Sequence, residues 1–248
     1  MKDKIIRLSK IISHAGICSR REAEQLIDKG KVEINGKVYN EYTIRNDIIK
    51  TIVVSGEVLK KYVNRLWIFN KPVGYVSSNK EQKNQKSLFR LFPSYIPRVV
   101  TVGRLDIMSE GLMIITNNPS ISSFLETPKN NIKRKYLVNV NGEITKNIIE
   151  KTKRNLLIDG QFYKKIKLNV IVSKSHFHSL EIELNEGKNR EIRKILSHFN
   201  LKIKKLKRIE YGPFKLGNLE IGKLKEISDK RLSILLKKVK FRDENNFW

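Results

Sequence analysis

The stretch VTVGRLDIMSEGLMIITNN, residues 100–118, places an arginine and an aspartate between two apolar runs. Val99–Val102 and Leu112–Thr116 are rich in β-branched residues and read as strands, with a short polar loop joining them. Arg104 and Asp106 stand two residues apart in that loop. Taken alone, the pattern is met by a turn aspartate held beside a cation, since Asp is at home in turns between strands. What else the chain carries decides whether that reading is enough.

Of 248 residues, 51 are Lys or Arg and 25 are Asp or Glu, a formal net charge of +26. A field of that sign draws polyanions, and phosphate backbones are the commonest of these in a cell. With 40% hydrophobic residues the chain can bury sizeable cores, as one large domain or as a small and a medium one. Position 2 is Lys rather than the Gly of myristoylation, and no prenylation box is seen. No apolar run reaches membrane-spanning length, and the opening MKDKIIRLSKIISHAG lacks a signal-peptide core. A single cysteine, Cys18, excludes an internal disulfide and argues against a thiolate-built metal site. The expectation is a cytoplasmic, monomeric protein that meets nucleic acid and no membrane.

The chain divides into an expected front module, residues 1–62, a larger domain, 63–232, and a basic tail, 233–248. In the front, Ile5, Leu8, Ile11 and Ile12 fall at helical spacing before Gly16. A second helix starts at the capping box formed by Ser19 and Glu22 and ends at Gly30. Asn35-Gly36 then marks a hairpin, and TIVVSGEVL a further strand pair. Lys10, Arg20, Arg21, Lys29, Lys31 and Lys37 cluster around these elements. Singly each is a solvated surface charge; together, on so small a module, they read as an RNA-facing patch. The order LSKIISHAGICSRREAEQLIDKGKVEINGKV resembles the RNA-binding domain named after a small-ribosomal-subunit protein, the S-four domain.

From Leu66 strands and helices mix without strict alternation, which predicts an α+β domain on a mixed, mainly antiparallel sheet. LWIFNKPVGYVSS is a strand entering a Lys71-Pro72-Val73-Gly74 turn, and PSISSFLETP a short helix. KRKYLVNVNG is a strand, and ITKNIIEKTKRNLLIDG reads as one helix closed by Gly160. YKKIKLNVIVS and HSLEIELNEG are two more strands. KNREIRKILSHFN is a helix with Ile192, Ile195, Leu196 and Phe199 on one face. IKKLKRIEYGPFKL is a strand running to a Gly-Pro turn, and DKRLSILLKKVKF a basic helix.

Three constellations compete for the chemistry. His176 and His178 would share one strand face, but no carboxylate or thiol joins them at ligand spacing, so both are expected at the solvent surface. No phosphate-cradling or dinucleotide loop is present, which leaves nucleotide cofactors without a seat. Asp106 with Glu110 would suit a hydrolase of nucleoside bonds. A non-catalytic RNA-binding assembly factor would need only the front module. The third constellation is the ordered set KPVG at 71–74, GRLD at 103–106, RKY at 134–136 and EGKNREIRKIL at 186–196.

That set, behind the front module, resembles the RsuA-type pseudouridine synthases over residues 5 to about 228. EGKNREIRK and LKRIEYGPF are most similar to the RluB-like branch, whose target uridine lies in large-subunit (23S) ribosomal RNA near the peptidyl-transferase centre. The resemblance implies isomerisation of uridine to pseudouridine on a flipped-out base, with no cofactor and no metal, and with ribosomal RNA as partner. It assigns the essential carboxylate to Asp106, acting covalently or electrostatically. Arg193 becomes its partner ion and Tyr136 the residue that stacks on the base, its hydroxyl a candidate for proton removal. Ile192 packs the other side of the uracil, and Arg104 helps hold the flipped RNA. Lys10, Arg20, Arg21 and Lys31 are the expected RNA contacts of the front module.

Overall fold

Residues 5–60, 63–78 and 85–242 are described by a computed structural model. In the front module the helices Leu8–His14 and Arg20–Asp28 bury Leu8, Ile11, Ile12, Ala23 and Ile27 together. The predicted capping box is present: the Glu22 N–H donates to Ser19 Oγ, and the Ser19 N–H donates to the Glu22 carboxylate at 2.7 Å. The helices close over a sheet made by Val32–Ile34, Lys37–Val38, Ile52–Val54 and Glu57–Val58. Ile5–Arg7, expected as the start of the first helix, is instead a strand paired with Thr43–Arg45. Its exposed Ile5 and Arg7 alternate with buried Ile6, a period of two.

The larger domain is built on a nine-stranded sheet. Its central path runs Lys167–Lys174, Phe177–Leu184, Arg134–Asn141, Lys202–Tyr211, Glu110–Thr116, Leu66–Lys71, Leu224–Glu226. All these pairings are antiparallel except one, where Glu110 and Gly111 meet Lys207 and Arg208 in parallel. The two runs of the opening stretch do pair, as Val100–Val102 against Glu110–Thr116 with Val100 opposite Thr116. Glu110–Thr116 therefore changes partner along its length, leaving the long Lys202–Tyr211 strand after two residues. Gly111 sits at that parting with φ +99, and a Cβ there would fall 2.3 Å from the Arg208 carbonyl oxygen. Only glycine lets the two backbones come so close.

Both faces of the inner strands are covered. Trp67, Phe69, Met113 and Ile115 enter one core with Val138, Val140 and Ile195, while Leu66, Ile68, Leu112 and Ile114 enter another beneath the helices Pro119–Glu126 and Asp229–Lys238. Hence Leu66–Lys71 and Glu110–Thr116 are buried at every position, whereas Arg134–Asn141 alternates. The helix Asp229–Lys238 runs through the expected boundary at 232/233 and buries Leu235 in the second core. The expected tail thus begins inside packed structure.

One long helix is corrected. It stops at Thr152, and Leu156–Ile158 pairs with Gln161–Tyr163 as a hairpin. Asp159 and Gly160 both have positive φ, +49° and +71°, as a two-residue hairpin turn requires. Gly160 is a hairpin glycine, not a helix stop. The histidine expectation also changes: His176 lies in a turn, while His178 is buried and bonded to Ser173 Oγ and the Gly142 carbonyl. They share no face.

Candidate active site

The loop carrying Asp106 is fixed from below by the Lys-Pro-Val-Gly turn. Lys71 ends a buried strand, has no solvent exposure, and donates to the carbonyls of Ser109 (2.8 Å), Pro72 (3.0 Å) and Asp106 (3.3 Å). The Gly74 N–H donates to the Ile107 carbonyl at 2.8 Å. Ser77 Oγ donates to the Leu105 carbonyl and accepts the Leu105 N–H, at 3.1 and 3.2 Å. Burial pulls the Lys71 ammonium down to about 8; the Asp106 carboxylate opposes that shift, and Arg208 reinforces it. Near neutral pH Lys71 is still a cation, placed under the backbone of the loop.

From the other side comes the helix Glu191–His198. Its apolar stripe, Ile192, Ile195 and Leu196, is buried in the main core, which turns Arg193 toward the loop. Arg193 Nη2 donates to the Met108 carbonyl (2.9 Å) and Ser109 Oγ (3.0 Å), and its Nε lies 3.4 Å from Asp106 Oδ2. Arg190, just before the helix with φ +53, puts Nη1 3.6 Å from the same oxygen. The carboxylate is thus met by two guanidiniums yet keeps 29% side-chain exposure, enough to be reached from a cleft of about 570 Å³.

Tyr136 reaches that cleft from the strand Arg134–Asn141, directly opposite Arg208 in the register. It is 8% exposed, and its hydroxyl has no hydrogen-bond partner among the described residues. Ile192, 5% exposed, is both a core member and part of the cleft wall. Arg104 lies exposed at the same cleft. The structure therefore brings together Asp106, Tyr136, Arg193, Ile192 and Arg104. Lys10, Arg20, Arg21 and Lys31 stay on the front module, outside the cleft lining, with Arg20, Arg21 and Lys31 exposed and Lys10 half-buried.

Three participants escaped the reading of the sequence. Lys71 was visible only as a turn residue, and since lysine is rarely buried nothing in LWIFNK marked it as a buried cation. Arg190 stands three residues before Arg193, the spacing that puts two side chains on one side of a helix start. Glu191 is 4% exposed; one oxygen accepts the Lys188 N–H at 2.9 Å and the other has no partner. Burial pushes its carboxyl up to about 7, and Glu186 adds to the shift while Lys188 and Arg134 oppose it.

Comparison with known proteins places the chain in a family. Residues 65–198 match the family described as RNA pseudouridylate synthase, and residues 6–44 match the S4 domain. An RNA pseudouridine synthase of Rickettsia typhi is 41% identical over 234 residues, covering 94% of each chain. The ribosomal large subunit pseudouridine synthase B of Bacillus subtilis is 32% identical, covering 90% of this chain and 92% of its own. A crystal structure of a pseudouridylate synthase superposes with a TM-score of 0.67 over 93% of this chain and 99% of that one, at 22% identity. That likeness speaks for the fold.

Proposed function

Since the chain belongs to the RNA pseudouridylate synthase family, we propose that its substrate is ribosomal RNA, and specifically a uridine of large-subunit (23S) rRNA. The target class is suggested by the likeness, over nine-tenths of both chains, to the Bacillus subtilis large-subunit enzyme. The observation that carries the chemistry is the convergence of Asp106, Tyr136, Ile192 and Arg193 on one cleft.

A uridine inside folded RNA hides its glycosidic bond, so it turns out of its stack into this cleft. Tyr136 and Ile192 receive the two faces of the uracil. Asp106, beside Arg193 and Arg190, acts at C1′ as nucleophile or as electrostatic partner while the N1–C1′ bond breaks. The freed base rotates and C5 bonds to C1′. The C5 hydrogen leaves as a proton and N1 gains one, so the reaction is an isomerisation with no redox partner. The Tyr136 hydroxyl, without a hydrogen-bond partner among the described residues, is positioned to take part in that proton movement. Arg104 steadies the everted strand. Lys10, Arg20, Arg21 and Lys31 hold neighbouring RNA from the front module, and the enzyme works as a monomer in the compartment that holds the ribosomes.

The test is a pseudouridine map of total ribosomal RNA from cells with and without the gene. One large-subunit site should vanish and return with the wild-type gene, but not with Asp106→Asn. An unchanged map, or a lost site in small-subunit RNA, contradicts the assignment. Release of free uracil would instead reveal a hydrolase.

A further inference from the structure

Two cations in the cleft have no ion-pair partner among the described residues, although Arg134 is near enough to Glu191 to oppose the upward shift of that buried carboxyl. Arg134 and Arg208 are 7% and 2% exposed, and no carboxylate lies within ion-pair distance of either among the described residues. Both guanidiniums lie over the ring of Tyr211, 4.7 and 5.0 Å from its centroid. Their hydrogen bonds go to neutral groups. Arg134 donates to the Asn185 carbonyl (3.3 Å) and the Tyr211 hydroxyl (2.8 Å), and Arg208 to the Leu112 carbonyl (2.7 Å) and Met113 Sδ (3.6 Å). Glu126, on the same wall, is occupied by the Ser122 hydroxyl.

Burying two charges without an ion-pair partner is costly, and a chain that only needed to pack Tyr211 would do so with apolar neighbours. Their location gives the charge a use. Arg134 precedes Tyr136 by two residues on one strand face, and Arg208 is the cross-strand partner of Tyr136. The cations thus flank the tyrosine that faces the base. Residue 187 is a glycine beside them: a Cβ there would lie 3.3 Å from Arg134 Cζ and 3.4 Å from its Nη1. The missing side chain leaves the guanidinium open on that side.

We infer that Arg134 and Arg208 form a subsite for a backbone phosphodiester of the RNA, next to the everted nucleotide. Guanidinium forks match phosphate oxygens, and the absent counter-ion is supplied by the substrate itself. This rests on the substrate being RNA but not on which RNA.

The test uses single-stranded oligouridylate and oligoadenylate with the full-length protein, binding being measured across a salt series. A lost phosphate contact shrinks the slope of log K against log salt by about 0.7 for single strands. Arg208→Gln and Arg134→Gln should each show that decrease, with about a fivefold to tenfold loss of affinity at low salt that is equal for both RNAs. An unchanged slope in folded variants overturns the subsite. A loss confined to oligouridylate overturns it too, since the arginines would then read the base. If the arginine variants do not fold, Gly187→Ala decides: it keeps both charges but covers the open side of Arg134, and should still shrink the slope. A parental slope in folded Gly187→Ala refutes the inference. Because neither RNA is the ribosomal target, a wrong rRNA assignment leaves these outcomes unaffected.

Discussion

The front module and the cleft carry charge of the same sign in opposite settings. Arg20, Arg21 and Lys31 are exposed, whereas Lys71, Arg208 and Arg134 are 0%, 2% and 7% exposed. Exposed cations are hydrated and screened, so each adds a little affinity and loses it as salt rises. Buried cations have given up water and are held by carbonyls, hydroxyls and sulfur, so each fixes a geometry. One region supplies attraction and the other supplies position. Substitutions should separate them sharply.

The largest effect short of removing Asp106 itself is expected from Arg193→Met. It strips the carboxylate of its less exposed partner and unties the Met108 carbonyl and Ser109 hydroxyl. Turnover should fall by about 10²–10³-fold while RNA affinity changes little. Single-turnover rates beside binding curves check this; equal losses in both would erase the distinction between the regions.

Lys71→Met comes next, because it leaves the Ser109 and Asp106 carbonyls without their donor. The cost should be about 2–3 kcal/mol of stability, read from chemical denaturation, with slower turnover as the loop loosens. A variant with parental stability and rate would show that the Gly74 and Ser77 contacts hold the loop alone.

Glu191→Gln tests a buried acid in the same wall. Its folded pKa is about 7 against an ordinary 4.5, so the folded protein keeps a proton that the unfolded chain has released. Stability from this group therefore declines as pH rises from 4.5 to 7 and is flat above. The amide keeps the bond to the Lys188 N–H and removes the decline. The variant should match wild type near pH 4.5 and exceed it by about 3 kcal/mol above pH 7. Parallel stability curves for the two proteins would show that Glu191 ionises normally.

The smallest effect belongs to the front. Arg20→Ala with Arg21→Ala should weaken RNA binding by less than about tenfold at low salt and hardly at all at high salt. Turnover of bound RNA should not change. A large fall in the single-turnover rate at saturating RNA would mean that the front module also positions the substrate.

How much of this was legible depended on distance along the chain. The capping box at Ser19 and Glu22 and the hairpin at Asn35-Gly36 are local, set by residues within one turn of each other. The apolar runs around Asp106 predicted their pairing because one short loop joins them. Asp106, Tyr136, Arg193, Arg104 and Ile192 were gathered by an ordered set of motifs, and the cleft does unite them. Contacts across the fold left no such trace. Lys71 reaches carbonyls 35 and 38 positions away, and Arg134 meets a tyrosine 77 positions away. Periodicity reports which face a side chain takes, not which distant strand lies opposite. The misread helix before Gly160 is a different failure: Asp159-Gly160 between apolar runs is a hairpin signal as strong as Asn35-Gly36.

The most direct measurement is made on Asp106→Asn, nearly isosteric and well tolerated in turns. With enzyme in excess over a uridine-containing fragment of the cognate ribosomal RNA, pseudouridine yield and RNA affinity are followed together. If Asp106 is the reacting carboxylate, held by Lys71 below and Arg193 beside it, the variant forms no product and binds RNA at least as tightly as wild type. A folded variant that converts uridine at the parental rate would return Asp106 to a plain turn residue.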